Sequence, residues 1–142
     1  MTTIVVSAAV IERDGHFLVT RRQQGVHLEG YWEFPGGKCD GAESVAACLE
    51  RELREELDVS ARPGEEIFTT VHDYPDRRVE LHFLSCAIAG EPRPQLGQEM
   101  MWARREALAD LKFPPADEEL IRLLVRGAIE GRSKDRPLPL RP

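Results

Sequence analysis

Gly36-Gly37-Lys38-Cys39-Asp40-Gly41-Ala42-Glu43 runs straight into Ser44-Val45-Ala46-Ala47-Cys48-Leu49-Glu50-Arg51-Glu52-Leu53-Arg54-Glu55-Glu56-Leu57-Asp58-Val59, a glycine loop delivering the chain into a helix. Each helical residue advances by about 100°, so Glu52, Glu55 and Glu56 fall on one face within roughly 100° of arc. Carboxylates gathered that closely repel one another. A hard divalent cation relieves the conflict, and Mg²⁺ keeps places in its shell for water and substrate phosphates. A merely solvated, charged face is the alternative for such a run. Val45, Ala46, Leu49, Leu53 and Leu57 argue against it, because they form their own stripe about a quarter turn away. The acids therefore stand on the shoulder of the buried face, at the lip of a core.

Gly37, five residues, Glu43, seven residues and then Arg51-Glu52-Leu53-Arg54-Glu55-Glu56 resembles the signature box of the Nudix hydrolase family. The family pattern ends with any residue, a glycine and an apolar residue. Here it reads Leu57-Asp58-Val59, with Asp58 in the glycine's place. Aspartate tolerates the left-handed backbone of a helix C-cap, so the turn is expected to survive. Asp40 and Glu43 have capping-box spacing, which gives Glu43 a structural role. Arg51 lies well round the helix from Glu52; the resemblance makes it a brace between loop and helix. Glu43 and Arg51 are thus supporting residues.

The chain has 142 residues, 42% hydrophobic and 31% charged, which suits one domain with a sizeable core. That domain is assigned to residues 1–131, with 132–142 a flexible basic, proline-rich tail. A net charge of −6 argues against a binder of duplex nucleic acid, which needs a basic face. Cys39, Cys48 and Cys86 are odd in number and lack metal-ligand spacing, so no disulfide framework is expected and a reducing cytoplasm is the setting. The N-terminal residues enter a strand-like run without a basic leader, and no apolar stretch nears the roughly 18 residues of a membrane span. Monomer and homodimer both remain open.

Residues 4–11 read as a buried strand, Asp14-Gly15 as a hairpin turn and residues 16–20 as the returning strand. Arg21-Arg22 at its end is either a solvated pair or, beside a phosphate cleft, a clamp. His27, alone in a polar loop, reads as a surface residue with a site role as the alternative. Trp32 suits anchoring, whereas Phe34, extended ahead of Pro35, can offer its ring to a ligand. Strands are predicted over 67–73 and 79–89, joined by a turn at Tyr74-Pro75-Asp76-Arg77. A short strand follows over 100–102 and a short helix or turn over 104–108. Residues 113–117 open a last helix with Leu120, Ile121, Leu123, Leu124 and Ile129 on its apolar face.

Beyond the box, Thr20-Arg21-Arg22, Trp32 to Lys38, Tyr74 to Arg77 and Phe113 to Asp117 resemble segments of the MutT-like nucleoside triphosphate branch, in the same order. The resemblance implies an α/β (α+β) sandwich, a mixed sheet between the box helix and the C-terminal helix. It implies hydrolysis of a nucleoside triphosphate to the monophosphate and pyrophosphate. Mg²⁺, or Mn²⁺ in its place, would be held by Glu52, Glu55, Glu56 and the Gly36 carbonyl. Glu52 would orient or deprotonate the water, with Glu55 and Lys38 also catalytic. Lys38 and Arg22 would meet phosphate oxygens. Relatives often carry a further Glu six residues before the late-strand tryptophan; here that position is Leu96, and Glu99 is the nearest stand-in.

Base binding would fall to Phe34, Tyr74, Arg77 and Asp117. Oxidised-guanine enzymes of the branch have Asn at the position of Asp117, an amide that donates and accepts; ionised Asp only accepts. Asp suits the exocyclic amine of cytosine, while Arg77 can supply a donor to O6 of 8-oxoguanine. Oxidised guanine, in nucleotide-pool sanitation that protects DNA, is narrowly preferred. CTP or 5-methyl-dCTP is the alternative, and a helix N-cap is the structural reading of Asp117. A non-catalytic nucleotide sensor is the alternative of another class, disfavoured by the intact Glu52, Glu55 and Glu56.

Overall fold

The computed structural model describes residues 2–127 and Ile129; the tail expected over 132–142 lies outside the described residues. Its elements are β1 (Thr2–Val10), β2 (Glu12–Arg13), β3 (His16–Arg21), β4 (Trp32–Glu33), β5 (Gly36–Lys38), α1 (Val45–Leu57), β6 (Ser60–Asp73), β7 (Arg77–Ala89), β8 (Met100–Arg104) and α2 (Glu118–Val125). Short 3₁₀ segments occupy Arg105–Asp110 and Pro115–Asp117. One sheet has the order β5-β1-β7-β6, with β1 and β7 parallel and the outer pairings antiparallel. In the second, β3 pairs antiparallel with β2, β4 and β8. The α/β architecture expected from the resemblance is present, its strands divided between a mixed and an antiparallel sheet.

Successive residues of a strand face opposite ways, and β1 uses both faces. Ala8 and Val10 join Phe17, Val19, Phe83, Leu120 and Leu124 in one apolar cluster. Ala9, with Ile11 just past the end of the strand, joins Leu18, Leu49, Leu53, Leu57 and Leu84 in another. The strands are therefore covered by α2 on one side and α1 on the other. Leu49, Leu53 and Leu57 are fully buried, as the stripe predicts, and truncating one of them to Ala would cost about 2–5 kcal/mol.

Local departures have identifiable causes. Helix α1 starts at Val45 with Ser44 as N-cap, its Oγ accepting from the Ala47 N–H at 3.1 Å. The expected capping box is instead a turn ahead of the helix, where Glu43 Oε1 accepts from the Asp40 N–H at 2.8 Å. Asp58 does take the left-handed cap conformation, with φ 54° and ψ 45°. Asp14 and Gly15 both have positive φ, 51° and 75°, as the hairpin requires. Strand β6 starts at Ser60, ahead of the expected residue 67. It is an edge strand, so Pro63 is tolerated within it, beside register shifts at Pro63/Glu66 and Glu66/Phe68. Helix α2 ends at Val125, short of Ile129, which still packs on the core.

The cysteine expectation needs correction. Cys39 and Cys48 are joined by a disulfide, with Cα atoms 5.2 Å apart. Cys86 is free and buried, its thiol pushed up to about 12 by burial. Among the described residues no helix is long and apolar enough to cross a membrane.

Candidate active site

A cleft of about 780 Å³ opens over the mixed sheet. Its floor is built from alternate residues of two parallel neighbours, Ile4, Val6 and Ala8 of β1 and Val79, Leu81 and Phe83 of β7. Glu52 and Glu56 of α1 reach it past β5, the edge strand on that side. Two glycines make this passage. A Cβ on Gly36 would lie 2.0 Å from the Ser7 carbonyl oxygen, and one on Gly37 2.3 Å from Glu52 Oε2. A side chain on Gly36 would collide with the β1 backbone, and one on Gly37 would fill the space the Glu52 carboxylate occupies.

Electrostatically this lip is poorly compensated. Burial, followed by the charges of Glu52, Glu33 and Glu55, pushes the Glu56 carboxyl up to about 8, although the Gly36 N–H donates to it. Burial also raises Glu52 despite Arg51. Glu55 is exposed and held outside the cleft by Arg51, Nη1 to Oε1 3.0 Å. Arg51 itself reaches further than its position round the helix suggests. Its Nε and Nη2 bind Glu43 at 2.7 and 2.9 Å, Nη2 the Lys38 carbonyl at 3.0 Å, and Nη1 Glu52 at 3.2 Å. These bonds hold Glu43 down at about 2 and Arg51 above its ordinary value. An all-oxygen donor set, with one carboxyl retaining a proton for want of positive charge, fits a hard divalent cation.

The other predicted residues are distributed unevenly. Lys38, Arg22 and His27 line the cleft. Arg22 is ion-paired with Glu33 at 2.9 Å and donates to the His27 carbonyl at 2.5 Å. Phe34 is buried, stacked on Phe113 at 5.3 Å and edge-on to Phe83 at 6.1 Å, so it meets the cleft from within the core. Tyr74 and Arg77 enter from the β6–β7 turn, the guanidinium 4.8 Å over the ring. Glu99 is not brought to the box carboxylates; it pairs with Arg21 at 3.2 Å outside the cleft.

Asp117 lines the cleft at 4% exposure. It occupies the N-cap position of α2 but makes no side-chain cap bond, so the capping reading fails. Burial, then the charge of Glu33, pushes its carboxyl up to about 7. Sequence reading passed over two cleft residues. Glu33 sits between aromatics that drew the attention, and its proximity to Arg22 follows only from the β3–β4 pairing of Thr20 with Glu33. His72, its ring 5.1 Å from Tyr74, lies in the predicted strand over 67–73 with no motif to mark it.

Comparison with known proteins bears on the family. A model of the NUDIX domain matches residues 6–123. An 8-oxo-dGTP diphosphatase of Haemophilus influenzae is 36% identical over 124 residues, spanning 86% of this chain and 91% of that protein. A CTP pyrophosphohydrolase of Escherichia coli is 35% identical over 122 residues, spanning 85% and 90%. The solution structure of the E. coli ORF135 protein superposes with a TM-score of 0.80 at 34% identity, covering 90% of this chain and 94% of that one. With the glycine loop, the box helix and the sandwich all in place, the chain belongs to the NUDIX domain family.

Proposed function

We propose that this enzyme hydrolyses an oxidised guanine nucleotide of the 8-oxo-dGTP type to the monophosphate and pyrophosphate, cleansing the nucleotide pool that feeds DNA. The observation that carries the reading is a single cleft joining Glu52, Glu56 and Lys38 to the buried, uncapped Asp117. Glu52, Glu56 and the Gly36 carbonyl would hold Mg²⁺, with Glu55 joining them once it exchanges Arg51 for the metal. Bound there, the ion supplies positive charge to phosphate oxygens and Lewis-acid activation of water. Glu52, packed against Gly37, would take the proton of an attacking water. Lys38 adds a charge-assisted bond to phosphate, and Arg22 adds another once it exchanges Glu33 for substrate.

Asp117 bears on the base. A carboxyl that titrates near 7 carries a proton through part of the neutral range, and a protonated carboxyl donates and accepts as an amide does. It then matches the O6 acceptor and the N7–H donor of 8-oxoguanine together. The second reading, a cytosine nucleotide, rests on the ionised form accepting from the exocyclic amine and on the 35% identity to a CTP pyrophosphohydrolase. A sensor that binds without cutting has no need of Glu52, Glu55 and Glu56 together.

The test is a panel of canonical and modified triphosphates, assayed for pyrophosphate with Mg²⁺ in the wild type and Asp117→Asn. The expected result is the highest kcat/KM for 8-oxo-dGTP, with the ratio over CTP rising further in the variant. An unchanged ratio would remove Asp117 as the base reader.

A further inference from the structure

The disulfide lies where the two halves of the cleft wall meet. Cys39 directly follows Lys38 at the exit of β5; Cys48 lies one helical turn before Glu52 on α1. Cys39 is half-buried and Cys48 fully buried, so only one sulfur is open to an external reagent. Without the bond, the loop over 39–44 retains the Arg51 bonds to Glu43 and the Lys38 carbonyl, the Glu43–Asp40 turn and the Ser44 cap. Once reduced, the Cys48 thiol gains an S–H that can donate to the Gly37 carbonyl, 3.7 Å from the sulfur. The loop is thus held by polar contacts when reduced and by a covalent bond across a separation of 9 residues when oxidised. Metal binding is the rival use, since Cys39, Glu43 and Cys48 converge within 4.8 Å. Glu43 is not spare for it, because both its oxygens are engaged by Arg51 and one also by the Asp40 N–H.

From this placement we infer that Cys39 and Cys48 form a thiol–disulfide exchange site whose bond clasps the Lys38 loop to α1, with a small disulfide of the glutathione type as co-reactant. The Cys39 thiolate attacks the external disulfide, forming a mixed disulfide and releasing one thiol. The Cys48 thiolate then attacks the Cys39 sulfur, forming the internal bond and releasing the second thiol. Two electrons pass to the external disulfide, and the two protein thiol protons end on the released thiols. Excess reduced thiol runs the steps backwards. Oxidation removes loop freedom and pre-organises the lysine, so it stabilises the fold and tightens nucleotide binding. The binding effect rests on the assignment of Lys38 to phosphate; the bond and the stability effect do not.

The experiment equilibrates the full chain across ratios of glutathione to glutathione disulfide, alkylates free thiols and maps the linked peptides by mass. Melting temperature and KM for 8-oxo-dGTP with Mg²⁺ are read at both extremes. Cys39→Ser and Cys86→Ala are run in parallel. Expected are a Cys39–Cys48 peptide under oxidising ratios, a Tm roughly 5 °C or more above the reduced form and a KM several-fold lower. Cys39→Ser abolishes all three responses, and Cys86→Ala retains them. Three free thiols at every ratio, or a bond that forms without moving Tm, would overturn the clasp. A Tm that responds while KM does not would overturn its coupling to the nucleotide. Absence of hydrolysis in both redox states would overturn the proposed activity instead, leaving mass and Tm to decide the clasp.

Discussion

The Glu52 carboxylate rests against the Cα of Gly37 so closely that an added Cβ would lie 2.3 Å from Oε2 and 2.6 Å from Oε1. The glycine is needed for this approach; its φ is not in the positive range that favours glycine on backbone grounds. Gly37→Ala should therefore fold with a Tm near that of the wild type. Its Glu52 must swing aside, and kcat is expected to fall about 100-fold. Steady-state kinetics beside a melting curve checks both halves, and a fully active alanine variant would show that the close approach is unnecessary.

Arg51 is the hub of the lip, binding Glu43, Glu52, Glu55 and the Lys38 carbonyl at once. Only a planar guanidinium reaches so many partners in one plane. Arg51→Lys is expected to lose both activity and thermal stability, with lysine restoring little over Arg51→Ala. Its stability should also lose acid sensitivity. Glu43 is held at about 2 by Arg51, so its contribution is present above its ordinary value near 4.5 and vanishes as pH falls toward 2. Melting curves between pH 2 and 7 for wild type and variant would reveal that difference.

Asp117 gives the opposite pH slope. Its carboxyl is raised from 3.8 to about 7, so the folded state binds the proton more tightly than the unfolded chain. Destabilisation therefore begins as pH rises through about 4, grows to about 7 and is constant above, reaching on the order of 2–4 kcal/mol. Asp117→Asn removes the titration. The variant should melt higher than the wild type at pH 8, with the gap closing toward pH 4. A gap that does not change with pH would contradict the burial argument.

How much of this was legible depended on whether a residue's surroundings are set within its own element. Helix α1, the left-handed Asp58 and the Asp14-Gly15 hairpin were readable because period, cap and turn chemistry are local. The same holds for the placement of Glu52 and Glu56 at the edge of a core. What was hidden depends on elements meeting. Cys39 and Cys48 become partners only when α1 folds back beside β5. Pro63 and the Glu65-Glu66 pair disguised the start of β6, which the sheet edge tolerates. Arg51 escapes its helical angle because its side chain is long, and Phe34 turns into the core because Phe113 arrives to stack on it. The burial of Asp117, which decides its protonation, comes from the tertiary arrangement around it.

The central claim is that Glu52, with a divalent cation held beside it, drives hydrolysis of a triphosphate bound in this cleft. It is tested most directly by pyrophosphate release from 8-oxo-dGTP by wild type and Glu52→Gln, each with Mg²⁺ and with the metal chelated. The account predicts release only by the wild type with Mg²⁺, the substitution lowering kcat by about 10²–10⁴ at little cost in Tm. Equal release by Glu52→Gln, or release that persists without the metal, would contradict it.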